Sequence, residues 1–266
     1  MLAEMLLYRL TRAEPWADAL GYRMGAVRLW SRAGRCAAAW RPHLERARAE
    51  VLAGAEACAR RRTALILGSG VLADVPLREL SRLFEKVVLV DAVHLPTIRW
   101  RARRPGNVVC ETVDLSGVAA GLARSAGEPW PEPGSRYGYD DPAVDFVVSL
   151  NLVSQLPLGP CERIETLLGL ADGAADPYGR RIVEAHFAYL AGFDARVLVM
   201  GDKARLYLDA AGRVFDRDDP LYGAALPAAD AEWDWDVAPL GEQARDYAIR
   251  NRVFCIRELR ARPQIG

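Results

Sequence analysis

The first sixty residues carry the pattern of helices. From Leu44 onward, apolar or small side chains recur about every 3.6 residues, a spacing that places them on one face of a helix. Arg60–Arg62 close this stretch, where positive charge complements the carbonyl end of a helix. Residues 1–60 are therefore predicted to be an N-terminal helical segment that belongs to the same domain as the rest of the chain.

The pattern changes at Thr63, where short apolar runs begin to alternate with helical stretches. The apolar runs cover residues 63–67, 86–90, 108–113, 145–150 and 196–200. The helical stretches cover residues 75–84, 95–104, 160–170 and 179–193. Continuous apolar runs of this length are typical of parallel strands buried on both faces. The sequence predicts an α/β fold with a mostly parallel sheet and helices on both faces.

Beyond residue 200 the segments look different. Residues 205–208 and 213–215 flank Asp209–Gly212, which predicts a small hairpin. Residues 232–237 and 247–259 are two further strand candidates. We expect these segments to complete the sheet at its C-terminal end.

One long segment between the third and fourth apolar runs is rich in proline and glycine. Residues 125–142 also carry Trp130, Tyr137 and Tyr139. A long loop of this composition is often functional and otherwise mobile. It is interpreted either as a lid or substrate wall or as a plain surface insertion.

Composition narrows the setting in which the chain works. The 266 residues carry 35 acidic and 35 basic side chains, so net charge does not draw the chain to nucleic acid or a membrane surface. Five cysteines are scattered without a C-x-x-C pair, which favours reduced thiols and suggests no metal site. The start lacks a signal-peptide pattern, and no stretch approaches the roughly 20 apolar residues that a membrane span needs. We expect a cytoplasmic protein without a membrane span.

Polar residues and glycines follow four of the predicted strands. Gly68–Gly70 follow the first, Asp91 ends the second, Asp114 follows the third and Asn151 follows the fourth. Because parallel strands deliver their carboxyl ends to one edge, these residues should meet there. Glycines let a ligand approach the backbone closely, and a carboxylate ending a strand can accept hydrogen bonds from ribose hydroxyls or an adenine amine. The set predicts a nucleotide site.

The ordered motifs resemble those of class I S-adenosylmethionine (SAM)-dependent methyltransferases. The resemblance rests on Leu65-Ile-Leu-Gly-Ser-Gly-Val-Leu, Val88-Leu-Val-Asp, Val113-Asp-Leu, and Val147-Val-Ser-Leu-Asn-Leu-Val-Ser-Gln-Leu, and it covers roughly residues 60–260. It implies a Rossmann-like, mostly parallel seven-stranded sheet with an antiparallel C-terminal strand, so that residues 61–266 form the methyltransferase-like domain.

The resemblance also implies which residues hold the cofactor SAM. Gly68, Ser69 and Gly70 would surround its methionine part, and Asp91 would accept the ribose hydroxyls. Asp114 with Leu115 would meet the adenine, and Asn151 would face the methyl group. Ala92 and His94 are further cofactor-binding candidates beside Asp91, although His94 has the alternative role of capping the next helix.

Two positions depart from the family pattern. Ile66 stands where the family usually has an acidic residue, two positions before the first glycine, and Leu72 replaces the third glycine. These departures leave open a non-catalytic methyltransferase-like binding protein.

A dinucleotide site is the main alternative. Residues 68–73 fit the fingerprint G-x-G-x-x-A, and Asp91 lies near the spacing expected for the carboxylate that binds the ribose of NAD. In that motif Pro76 would fall inside the helix, at a cost of ~3 kcal/mol. Asp74 instead predicts a helix N-cap with proline in the first turn. Nothing after the nucleotide domain is large enough for a separate substrate domain, so an NAD-dependent oxidoreductase is the less favoured interpretation.

Candidates for the acceptor side are few, and no catalytic residue is assigned. Asn151 and Gln155 follow the fourth strand and either contact substrate or cap the next helix. The Asn-Leu-Val-Ser sequence there lacks the Asn/Asp-Pro-Pro-Tyr/Phe pattern of enzymes that methylate base amines in nucleic acids. His186 lies on an apolar helical stripe and is a core histidine or a general base. His43 is expected to be structural or exposed.

Four arginines between residues 99 and 104 surround Trp100 and raise the question of nucleic acid. On one helix such arginines are usually a solvated face, and the balanced charge agrees. The prediction is methyl transfer to a small molecule, with the N-terminal helices forming part of the acceptor pocket. The sequence does not indicate an oligomeric state.

Overall fold

A computed structural model describes residues 2–259, and its helices and strands follow the alternation of the sequence. Four helices come first: α1 (Leu2–Leu10), α2 (Pro15–Ala19), α3 (Tyr22–Arg35) and α4 (Ala37–Glu56). The strands are β1 (Thr63–Leu67), β2 (Lys86–Asp91), β3 (Val108–Thr112), β4 (Val144–Leu150), β5 (Arg196–Asp209), β6 (Val214–Asp218), β7 (Ala231–Ala238) and β8 (Tyr247–Ile256). The helices among them are α5 (Leu77–Leu83), α6 (Pro96–Arg103), α7 (Ala119–Arg124), α8 (Leu152–Gln155), α9 (Leu158–Leu168) and α10 (Asp176–Ala191).

The strands form one sheet in the order β3-β2-β1-β4-β5-β8-β7, with β6 paired to β5 outside this path. The order from β3 to β5 is that of a doubly wound sheet, and those five strands are parallel. β8 runs antiparallel to both of its neighbours. The predicted fold class is confirmed: the chain has a Rossmann-like α/β fold with an antiparallel C-terminal strand.

β5 is longer than the sequence pattern indicated. The predicted strand ended at Gly201, but β5 continues to Asp209 and absorbs the first arm of the predicted hairpin, while β6 adds an eighth strand. Pairing with β8 continues along this whole length, with one irregularity between Asp202 and Ala204. A distant strand therefore extends β5 past a glycine that looks locally like a strand end.

Two apolar layers cover the sheet. On one face, α4, α5 and α6 pack against residues such as Ile66 and Leu198. On the other, α8 and α10 pack against residues such as Leu65 and Val197. The N-terminal helices join the first layer directly, since Trp40 Nε1 donates to Val237 O at 3.0 Å.

His43 contacts two residues of β7 that are distant in the sequence. It is 1% exposed on α4, its ring stacks on Trp235 at 4.1 Å, and Nδ1 accepts a hydrogen bond from Trp233 Nε1 at 3.0 Å. Of the two expectations for His43, the structural one is confirmed and the exposed one is wrong, because strand β7, almost two hundred residues later in the chain, packs against it. His43 is a structural core residue.

The segment 125–142 packs over the second face of the sheet. A Cβ on Gly138 would lie 2.9 Å from Leu65 Cδ2, so the loop lies close against β1. Tyr178 on α10 donates from its hydroxyl to Pro131 O at 2.6 Å, and the Tyr139 ring stacks on Tyr189. The segment thus covers apolar strand surface that a helix covers elsewhere in the sheet.

Within residues 2–259, no helix combines the length and the apolar character that crossing a membrane requires.

Candidate functional site

The carboxyl ends of β1, β2 and β4 meet at one edge of the sheet, which we call the rim. The backbone amides of Gly68 and Ser69 both donate to Val90 O, at 2.9 and 3.2 Å, and this ties the loop after β1 to the end of β2. Asn151 N donates to Met200 O at 2.8 Å and ties the end of β4 to β5. The sheet therefore brings the predicted residues after these strands together.

The loop after β1 depends on left-handed backbone at three positions. Gly68, Gly70 and Leu72 have φ values of 76°, 51° and 57°. A Cβ on Gly68 would lie 2.6 Å from Leu150 O, so packing alone already requires glycine there. Leu72 adopts a conformation that costs a side chain roughly 1–2 kcal/mol, at the position where the resemblance expects the third glycine.

Asp91 closes the loop against β2. Its Oδ2 accepts a hydrogen bond from Gly70 N at 2.7 Å. Burial raises the pKa of this carboxyl, while His94 and the backbone amides of Gly70, Val93 and Ala92 oppose the rise. Asp91 and the half-buried Ala92 therefore lie on the rim where the sequence placed them.

His94 presents a free lone pair beside Asp91. The ring is 1% exposed, and Nε2 lies 3.0 Å from Glu111 O, a contact in which only Nε2–H can donate. Burial lowers the pKa of His94, so the neutral ring leaves Nδ1 as an acceptor, which has no partner within residues 2–259. The alternative of a helix cap is wrong, because α6 begins after Leu95 without a side-chain cap.

Both carboxylate oxygens of Asp114 accept hydrogen bonds from backbone amides at or just before the start of α7. Oδ1 accepts from Ser116 N at 3.0 Å, and Oδ2 accepts from Ala119 N at 2.7 Å. Leu115 beside it is 5% exposed in the second apolar layer. A contact from Asp114 to an adenine amine would have to share oxygens already engaged by backbone, and it stays a prediction.

Asn151 does not cap the helix that follows it. It has φ 58° at the N-cap position of α8, but its side chain makes no capping hydrogen bond. Nδ2 instead donates to Asp74 Oδ2 at 3.3 Å, and Oδ1 has no partner among the described residues. The capping alternative is wrong for Asn151, whose amide faces the loop after β1.

Asp74 is a rim residue that sequence reasoning misplaced. It was expected to cap α5, but α5 begins at Leu77 with Pro76 at the N-cap and no side-chain cap. Its carboxyl faces Asn151 instead. Burial raises its pKa to about 6, Asp91 adds to the rise, and Arg48 opposes it. The signal available in the sequence was the proline that delays the helix and leaves Asp74 inside a longer loop.

Asp202 is a second buried carboxyl near the rim. Met200 pairs with Leu150, so Asp202 comes level with the residues that follow β4. Ser154 Oγ donates to Asn151 O at 3.1 Å and lies 3.4 Å from Asp202 Oδ2. Burial raises the pKa of Asp202 to about 6, against Arg205 and hydrogen bonds from Asn251 and Ser154. The sequence missed it because β5 appeared to end at Gly201.

Two acceptor-side candidates lie apart from this cluster. His186 is 2% exposed in the core, where Nε2 lies 2.9 Å from Ser149 Oγ and burial lowers its pKa to about 3. Gln155 is exposed at the end of α8. The geometry favours the core interpretation of His186 and gives Gln155 no contact with the rim within residues 2–259.

The N-terminal helices cover the rim. A Cβ on Gly70 would lie 3.6 Å from Leu29 Cδ2, which places α3 directly above the loop. A Cβ on Gly159 would lie 3.1 Å from the Tyr22 hydroxyl, and burial and the nearby Asp114 charge raise the pKa of Tyr22. Ser69 is 0% exposed beneath this cover. Helix α3 therefore covers part of the loop after β1.

The unpartnered atoms at the rim share one property. Each is buried, can accept a hydrogen bond and has no partner within residues 2–259: Ser69 Oγ, His94 Nδ1, Asn151 Oδ1 and Asp202 Oδ1. Buried polar atoms of this kind are costly unless a ligand or water satisfies them. The rim therefore suits a ligand rich in hydroxyl, amine or ammonium donors. In the described part of the chain, no cluster of His, Cys, Asp and Glu is arranged to hold a metal ion.

Fold and rim together define a Rossmann-like α/β protein with an acceptor-rich polar site at its strand ends. No protein-family model matches the chain, and no curated protein matches it. Among solved structures, the chain is similar to a crystal structure of Burkholderia thailandensis 1,6-didemethyltoxoflavin-N1-methyltransferase with bound 1,6-didemethyltoxoflavin and S-adenosylhomocysteine. The identity is 18%, 91% of each chain is covered, and the TM-score is 0.38. A likeness this distant carries no weight for the site or its ligand.

Proposed function

We propose that the chain is a SAM-dependent methyltransferase that acts on a small molecule. The observation that carries the proposal is the set of buried, unpartnered acceptor atoms on the rim of a Rossmann-like sheet. SAM offers the matching donors: two ribose hydroxyls, an ammonium group and an adenine amine. The motif order that resembles class I methyltransferases supports the same ligand.

We assign one part of this cofactor to each group of residues at the strand ends. Gly68–Gly70 would surround the methionine part, while Asp91 and the lone pair of His94 would accept the ribose hydroxyls. Asp114 with Leu115 would lie at the adenine. These assignments follow the resemblance except for His94 Nδ1, whose free lone pair adds an acceptor.

Asp74 would supply the acidic group that the family pattern has and that this chain lacks at Ile66. Ile66 is fully buried in the apolar layer and presents no polar atom to the rim. Asp74 lies in the loop that would enclose the ligand, and it contacts Asn151. We infer that Asp74 takes over the attraction for the ammonium or sulfonium charge.

When bound, SAM supplies a methyl group activated by its sulfonium charge. The residues of the chain would align the acceptor with that methyl, since in-line displacement depends chiefly on positioning. Asn151 Oδ1 would accept a hydrogen bond from the molecule to be methylated. Asp202, whose pKa burial raises to about 6, would take a proton from that molecule above this pH. Helices α2 and α3 would exclude water from the reaction.

An NAD-dependent oxidoreductase is less well supported. The dinucleotide motif binds pyrophosphate at a helix that begins at the glycines. Here α5 begins at Leu77, seven residues after Gly70, and leaves a loop instead of a helix end at the rim.

A calorimetric titration of SAM into the wild type and Asp91→Ala tests the proposal. We expect one-to-one binding that weakens at least about tenfold in the variant, because the loss of a charged acceptor costs about 1.5–3 kcal/mol. Asp216→Ala on the exposed β6 is the matched control and should bind like the wild type. Unchanged affinity in Asp91→Ala, or tight binding of NAD(H) with none of SAM, would contradict it.

A non-catalytic binding protein is the remaining alternative, and the cover over the rim favours it. It predicts that the purified chain takes up neither SAM nor S-adenosylhomocysteine, even when Leu29→Ala opens the contact above Gly70. If Leu29→Ala binds SAM faster than the wild type, α3 acts as the cover of a working site.

A further inference from the structure

A cleft that borders the loop after β1 lies between α3, α4, α6 and residues 71–73. Its volume is about 650 Å³, within the range that small-molecule sites occupy. Its lining includes Trp30, Arg48, Thr97 and Arg101. Residues 71–73 of the loop after β1 line it, but Gly68–Gly70, Asp91 and Asn151 do not, so its occupant would contact other side chains than the proposed cofactor.

Two arginines from different helices enter the cleft without an acidic partner. Arg48 donates through Nη2 to Ala73 O, and Arg101 donates through Nη1 to Val71 O at 3.2 Å. Within residues 2–259 neither guanidinium lies within 4 Å of a carboxylate, although Asp74 attracts Arg48 at longer range. Each guanidinium has five N–H donors, so most of them remain available to a ligand.

The third arginine of the cleft is different. Arg35 Nη2 lies 2.7 Å from Glu242 Oε1, so its charge is already paired. By contrast, partial desolvation at the cleft wall and the neighbouring charge of Arg48 lower the pKa of the exposed Arg101. Two positive charges therefore repel each other at the wall of the cleft, and a bound anion would relieve that repulsion.

We propose that this cleft binds a phosphate dianion, either free or as the monoester of a small molecule, through Arg48 and Arg101. Two guanidiniums carry two charges, which matches a phosphate dianion better than a single carboxylate, and their planar forks suit its oxygens. The Thr97 hydroxyl supplies a further donor, and the Trp30 ring forms an apolar wall for the rest of a monoester. The site goes beyond the proposed methyl transfer and does not depend on it.

The test is a calorimetric titration of the full chain with inorganic phosphate, with glycerol phosphate and with acetate, at constant ionic strength and without SAM. We expect both phosphates to bind one to one and acetate not to bind. Arg48→Gln and Arg101→Gln should each weaken phosphate at least about tenfold. Arg28→Gln, an exposed arginine of α3 outside the cleft, loses the same charge and should leave binding unchanged.

Several results would overturn the site. They are no phosphate binding by the wild type, equal losses in Arg28→Gln and Arg101→Gln, or acetate binding as tightly as phosphate. Tighter binding of glycerol phosphate than of inorganic phosphate identifies a monoester, and the reverse identifies the free ion. Arg101 is exposed on α6, so its variant keeps the test decisive even if Arg48→Gln loosens the loop at Ala73. Because no SAM is present, failure here is distinct from failure of the proposed function.

Discussion

The carboxylates at the two edges of the parallel sheet differ in their hydrogen-bond partners and in the direction in which their pKa values are shifted. At the amino edge, Asp145 accepts from Arg62 N and Nε, both at 2.9 Å, and from Arg62 Nη2 at 2.6 Å. These hydrogen bonds hold its pKa below the usual value. At the carboxyl edge, Asp74 and Asp91 are half-buried without an ion pair within residues 2–259, and desolvation raises their pKa values. The amino edge is arranged for stability, and the carboxyl edge keeps charges available for a ligand.

The largest expected effect falls on the amino edge. Asp145→Ala should lower the free energy of unfolding by about 2–3 kcal/mol, because it removes the acceptor of three donors of Arg62. The contribution of Asp145 is present above pH 4 and is lost as the pH falls through its lowered folded pKa. Urea unfolding at pH 7 and pH 3 measures it. SAM affinity should not change at pH 7, and a large change would show that the two edges are not independent.

The second expected effect has the opposite sign. Asp74→Asn should raise the free energy of unfolding at pH 7.5 by about 2 kcal/mol, because burial raises the pKa of Asp74 from 3.8 to about 6. With a raised folded pKa, the wild type loses stability as the pH rises between about 4 and 6, so the gain should vanish near pH 4. The same variant should bind SAM about tenfold more weakly. A variant that gains stability without losing affinity would remove Asp74 from the site.

In the wild type, the charge of Asp74 should make the affinity for SAM depend on pH. As the pH falls below 6, Asp74 becomes protonated and loses its attraction for the positive charges of SAM, so affinity should decline. The groups that face this carboxyl are Asp91, Arg48 and the amide of Asn151. The pKa of Asp91 is also raised, so Asp91 likewise gains a proton as the pH falls. Asp74→Asn should flatten the decline between pH 7 and pH 5.5, measured by titration at each pH. A decline of equal steepness in Asp74→Asn would assign the effect to another group.

The smallest effect separates backbone from side chain at Asn151. The φ of Asn151 is 58°, a value that favours glycine, so Asn151→Gly should keep the melting temperature of the wild type. Asn151→Ala should lower the free energy of unfolding by about 1 kcal/mol. Both variants lack the amide that faces Asp74 and should therefore lose methyl transfer alike. Full activity in Asn151→Gly would show that only the backbone of this residue matters.

The sequence predicted the strands of the sheet well because buried parallel strands carry their own signal. Strand β1 was predicted at its observed bounds, Thr63–Leu67. Where the structure differs from the prediction, a strand distant in the sequence determines the local structure or the burial of the residue. β8 extends β5 past Gly201 and brings Asp202 level with the rim, and β7 buries His43.

The rim was predicted only in part for the same reason. Glycines and aspartates at strand ends could be recognised locally. The contact between Asn151 and Asp74 spans 77 residues, and Leu29 covers Gly70 from a helix that the sequence places in another segment. Periodicity contains no information about such contacts, so the closure of the rim required the folded chain.

Native mass spectrometry can show whether the rim holds an adenosyl cofactor. The purified chain is sprayed with equal concentrations of SAM and NAD. We expect a one-to-one complex with SAM, or with S-adenosylhomocysteine carried through purification, and no NAD complex. A spectrum that shows an NAD complex would contradict this expectation. So would the unliganded chain alone at SAM concentrations well above the dissociation constants typical of cofactor binding.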